Sequence, residues 1–94
     1  MSGGSWDYMY QKLEEAADRL KADKKPLRRA FGAHVAKVAK ALHDVEWVDS
    51  CDYSENDELP AIESVLGKNA KALEIEIVKD DARKIMEQLE RLLA

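Results

Sequence analysis

From Ile75 to Leu92 the apolar residues Ile75, Val78, Ala82, Ile85, Leu89 and Leu92 recur at spacings of 3, 4, 3, 4 and 3. A helix brings such positions onto one stripe, and a stripe this regular marks a seam with another helix. Leu73, Ile75 and Ile77 also alternate with glutamates, as in a half-buried strand. A lone strand, however, has no partner in this chain. The pattern therefore predicts one helix over about 69–93, seamed either within a bundle or between subunits.

The rest of the chain reads as helices in the same way. Ser5 is a fair N-cap for a helix over about 6–23, with Trp6, Met9, Tyr10, Leu13, Ala16, Ala17 and Leu20 on one face. Tyr8 falls about 160° from that stripe, beside Lys12, Glu15 and Arg19. Pro26 suits the first turn of a second helix over about 26–48, with a core stripe of Leu27, Phe31, His34, Val38, Ala41, Leu42 and Val45. Its other side carries Ala33, Ala36 and Trp47, small residues with one large aromatic, and is expected to be a subunit interface. Gly32 costs roughly 1 kcal/mol inside a helix, so it implies a close helix approach or a ligand contact. Residues 49–58 form an acidic loop, Pro60 opens a short helix over 60–66, and Gly67 is its stop. The expected fold is all-α: one domain over 1–94, with a flexible lead at 1–5. It is a small antiparallel helical bundle of three long helices plus one short helix, and oligomeric.

Composition narrows the function classes. With a net charge of −4, general nucleic-acid binding is disfavoured. No apolar run approaches the roughly 20 residues of a membrane span, and no signal peptide is evident. A single cysteine, Cys51, suits a reducing cytoplasm. The expected location is therefore cytoplasmic, without a membrane partner.

Catalysis and metal binding find little support, and no cofactor is expected. His34 and His43 are nine residues apart, too far to share a helical turn as metal ligands, and Cys51 lies in no nucleophile motif. Asp52, Ser54, Asn56, Glu58 and Glu63 partly match a calcium loop, but Asp57 stands where its glycine belongs and Pro60 interrupts it. The N-terminal region offers more. Gly3 and Gly4 expose backbone N–H groups ahead of a helix start, Trp6, Tyr8 and Tyr10 can stack on a base, and Lys12, Lys25 and Arg28 can pair with phosphate. Lys25 and Arg28 crowd a helix N-terminus whose dipole favours anions, a conflict typical of functional sites.

The opening string Met1-Ser2-Gly3-Gly4-Ser5-Trp6-Asp7-Tyr8 resembles short bacteriophage and prophage proteins that begin Ser-Gly-Gly, then an aromatic, a further residue and tyrosine. Their middle region is similar to Glu46-Trp47-Val48-Asp49-Ser50-Cys51-Asp52-Tyr53. Architecturally the chain also resembles the oligomeric phage sponges that sequester cyclic-nucleotide signals of anti-phage systems such as CBASS and Thoeris. That resemblance implies a phage-encoded, homo-oligomeric, non-enzymatic protein. It would bind a small nucleotide-like anion through Tyr8 or Tyr10 and Lys25 at subunit interfaces. The rival expectation is a protein-binding inhibitor of a host defence or DNA-binding protein, acting through Trp47 and the acidic loop.

Overall fold

The computed structural model describes residues 4–94. Helices α1 (Met9–Lys21), α2 (Pro26–Asp49) and α3 (Leu59–Leu66) are followed by a 3-10 turn (Gly67–Asn69) and α4 (Ala70–Leu93). No strand occurs among the described residues, so the all-α expectation holds and residues 70–78 are helical. No helix among them is long and apolar enough to cross a membrane.

The first helix is shorter than its apolar pattern suggests. Trp6 and Asp7 lie in a turn, and α1 has Tyr8 as its N-cap residue, at φ 57°, in place of Ser5. Pro26 occupies the first turn of α2 as expected. At the far end of α2, Asp52 N–H donates to the Trp47 carbonyl at 2.8 Å and Cys51 N–H to that of Val48 at 3.0 Å. These two bonds form a Schellman termination, and Cys51 at φ 65° holds the left-handed position usually given to glycine.

The packed part of the molecule is the α1–α2 hairpin with α3 laid against α2. Gly32 and Ala39 share the α1-facing side of α2, seven residues apart, and both are buried. A Cβ on Gly32 would stand 2.8 Å from Leu20 Cβ, 2.9 Å from Lys21 N and 3.0 Å from the Ala17 carbonyl oxygen. The glycine therefore serves a close helix approach, one of its two expected roles.

The expected core stripe of α2 is only half covered. Ala41 is buried and Val38, Leu42 and Val45 are half-buried, but Leu27, Phe31 and His34 are exposed. The reason is length: eight residues of α3 span about 12 Å, against about 36 Å for the 24 residues of α2. His34 is accordingly a surface residue and not a core one.

Gly67, at φ 69° and ψ −146°, ends α3 as expected and re-aims the chain. Helix α4 then packs on none of the other α-helices to any extent, and none of its residues is buried. The expected three-helix bundle therefore does not close within one chain. The radius of gyration is 17.9 Å, against about 12 Å for a compact chain of this length.

Replacing Gly32 by alanine sets a helix-propensity gain of about 1 kcal/mol against an overpacking cost of about 1–3 kcal/mol. Two of the three crowding atoms are backbone and cannot swing away. The expected outcome is a net loss of about 1 kcal/mol in urea unfolding, with the α1–α2 crossing pried apart.

Candidate functional site

The centre of the site is Glu46, which no surface pattern singles out. It lies seven residues beyond Ala39 and fourteen beyond Gly32, on the same side of α2, and is 0% exposed. Its Oε2 accepts N–H bonds from Gly4 at 2.6 Å, Tyr8 at 3.0 Å and Trp6 at 3.3 Å. Consecutive left-handed residues Asp7 (φ 55°) and Tyr8 (φ 57°), with Gly4 at φ 107°, curl the segment so that these N–H groups converge. Converging amides form an anion-binding nest, and here the anion comes from the protein's own second helix. The same carboxylate sits at the start of α1, where the dipole favours negative charge.

These contacts make a clasp of two segments, residues 4–8 and 46–50, and further bonds join them along their length. Ser5 Oγ and Ser50 Oγ are 2.6 Å apart, Ser5 N–H donates to Ser50 Oγ at 3.1 Å, and Trp6 Nε1 donates to Asp49 Oδ2 at 2.7 Å. Residues 4–8 of the first string that carries the phage-protein resemblance and the helix-end residues of the second are therefore the two halves of one structural unit.

An aromatic cluster grows from the clasp. His43 and Trp47, one turn apart on α2, stack at 4.1 Å and 19°. Tyr10 meets both rings edge-on, at 4.9 and 5.5 Å, and is buried. Tyr8 contacts Trp47 at 6.3 Å, and Tyr53 contacts it at 6.5 Å from the loop after α2. Such contacts contribute about 0.5–1.5 kcal/mol each beyond their area. Tyr8 and Tyr53 remain 40% and 38% exposed and Trp6, on the same turn as Tyr8, 43%; together they form a solvent-facing aromatic rim in which Trp6 is held by Asp49 and not by a ring contact.

The surroundings of that rim are acidic. Between Lys40 and Lys68 the chain carries Asp44, Glu46, Asp49, Asp52, Glu55, Asp57, Glu58 and Glu63 and no lysine or arginine. Asp44 is buried and internally paired, with Lys40 Nζ at 2.7 Å and His43 Nδ1 at 3.0 Å.

The residues expected to bind a ligand do not form one site in a single chain. Gly3 lies outside the described residues. Gly4 binds an anion, but an internal one. Trp6, Tyr8, Tyr10 and the exposed Lys12 lie at the clasp end of the hairpin. Lys25 and Arg28 lie beyond the other end of α1, whose 13 residues span about 20 Å.

The basic turn also has its own counter-charge. Asp23 accepts from Lys25 N–H at 2.8 Å and from Arg28 at 3.1 Å. These bonds, that to the Lys25 N–H above all, hold the Asp23 carboxyl below its ordinary value of 3.8. A lowered carboxyl pKa favours the fold above that value, and the contribution is lost as pH falls through the lowered one. The expected conflict between cations and the α2 dipole is thus met inside the chain.

The expected interface residues are likewise dispersed. Trp47 is half-buried among the aromatic rings, and Ala33 is exposed. Ala36 lines an open groove of about 430 Å³ between α1 and α2, rimmed by Glu14, Asp18, Lys21 and Lys40. Among the described residues no cluster of histidine, cysteine or carboxylate side chains could hold a metal ion.

Comparison with protein-family models, curated proteins and solved structures finds no match for this chain.

Replacing Glu46 by alanine leaves three converging N–H groups without their acceptor. Because residues 4–8 can peel into water, the cost is that of losing the clasp, about 2–3 kcal/mol in denaturant unfolding. The near-ultraviolet circular dichroism of Trp6 and Trp47 should weaken with it. Glu46→Gln, which keeps one acceptor oxygen, should lose less.

Proposed function

We propose that this is a phage-encoded, non-catalytic binding protein that blocks a basic surface on a host protein, such as a defence or DNA-binding protein. The observation that carries this reading is the half-exposed aromatic rim of Trp6, Tyr8 and Tyr53, set on a rigid clasp inside an acidic stretch. Exposed aromatics held in place are the usual anchors of protein interfaces, because they bury large area with little entropy loss. Their faces also attract arginine and lysine. The surrounding carboxylates steer a basic partner toward the rim and repel an anionic one.

Sequestration of a nucleotide-derived signal fits the same residues less well. A phosphate at the aromatic end would meet carboxylates, with Lys12 as the one exposed cation on the adjoining turns of α1. Lys25 and Arg28 could join it only from another copy.

The test is capture of a partner from host lysate, followed by titration calorimetry on the purified pair. The expected partner is basic, and its affinity falls with salt. Tyr53→Ala should weaken binding tenfold or more, about 1.4 kcal/mol. Glu55→Lys with Asp57→Lys should slow association. A purified protein that carries a nucleotide, or that binds cyclic di- or trinucleotides in place of any protein, would overturn this reading in favour of signal capture.

A further inference from the structure

Helix α4 is the one long element with nothing on its apolar face. Ile75, Val78, Ile85, Leu89 and Leu92 are between 46% and 83% exposed, and Met86 and Leu93 beside them are 55% and 78% exposed. Placing Ile75 at heptad position a puts Val78, Ile85 and Leu92 at d and Ala82 and Leu89 at a. Lys71 falls on the same stripe, so the seam begins at Ile75. The ion pairs of Asp80 with Arg83 and with Lys84 lie on the opposite side. The helix is therefore charged on its back and apolar along its front, and helices in water draw most of their stability from burying such a front.

We infer that α4 packs against α4 of a second copy of this chain, in parallel and in register. Three observations select this occupant. The first is period and length: the seam continues at 3-4 spacing over 75–92, whereas α1 has 13 residues and α3 has 8. The second is availability, because α1 and α3 already engage α2, the other helix of 24 residues, and its uncovered stretch from Leu27 to His34 is too short to match the seam.

The third is charge. At the seam's flanks Glu74, Asp81 and Gln88 take the g positions, and Lys79, Met86 and Leu93 the e positions. A parallel pair sets Glu74 of each copy against Lys79 of the other and opposes no like charges. An antiparallel pair that aligns Ile75 with Leu92 forms no such ion pair, since it sets Asp81 against Gln88 and Lys79 against Met86. Flanking charges of this kind set partner orientation. Assembly would also place both hairpins at the same end of the seam, so two aromatic rims would act together. The self-association itself does not rest on the protein-binding reading.

The experiment is sedimentation of the full chain, with disulfide trapping in a Cys51→Ser background. The wild type is expected to be oligomeric and Ile85→Lys monomeric, with the near-ultraviolet dichroism of the hairpin tryptophans unchanged. Glu74→Lys should weaken assembly, and adding Lys79→Glu should restore it. Ile75→Cys should cross-link to itself. A monomeric wild type, or an oligomer indifferent to Ile85→Lys, overturns the inference. Cross-linking of Ile75→Cys only with Leu92→Cys in mixed samples overturns the parallel arrangement. Partner binding that survives in an Ile85→Lys monomer leaves the protein-binding reading standing by itself.

Discussion

A single carboxylate oxygen, Glu46 Oε2, organises the clasp end of the helical hairpin. Burying an unpaired carboxylate is costly, and the charge is tolerated only where donors replace the water it loses. Three backbone N–H groups do so here, and they can converge only if Asp7 and Tyr8 take left-handed backbone. That conformation costs about 1–3 kcal/mol per non-glycine residue and persists only when its surroundings over-determine it. The serine pair, the Trp6–Asp49 bond and the ring contacts of Tyr8 supply the further constraints. The aromatic rim therefore depends on the buried charge, since Trp6 and Tyr8 are carried on the segment that the charge collects.

Reliance on a polar clasp follows from how little apolar core one chain contains. Among the described apolar side chains only Tyr10, Ala17, Ala39 and Ala41 are buried, three of them alanines that permit close helix contact and fill little volume. Small domains with thin cores are marginal unless something else holds them. Here the hairpin is held by Glu46 at one end and by the Asp23 turn at the other. The apolar surface that would otherwise thicken the core lies on α4, where the proposed self-association would bury it.

Much of the architecture is legible from local rules. Pro26 and Pro60 start helices, Gly67 stops one, Gly32 marks a close crossing, and the 3-4 spacing correctly outweighs the strand-like alternation of Leu73, Ile75 and Ile77. The misreadings have a common cause. Helical periodicity finds an apolar face but not the length of what covers it, so the α2 stripe takes in Leu27, Phe31 and His34 although α3 stops short of them. The site was partly visible, because the two clasp strings stand out. What they do is long-range, since Glu46 meets residues 38 to 42 positions away. One clue was available: Gly32, Ala39 and Glu46 share one side of α2 at seven-residue spacing, and an acid on a stripe otherwise built for close packing needs donors. The Tyr8 position shows the same limit, because a helical wheel cannot describe a residue whose backbone is left-handed.

Native-state hydrogen exchange at the amides of Gly4, Trp6 and Tyr8 tests the central claim most directly. If Glu46 holds the N-terminal segment, the three amides are protected together, and Glu46→Ala exposes all three while the middle of α2 stays protected. Free exchange of these amides in the wild-type protein, or protection that survives Glu46→Ala, would contradict it.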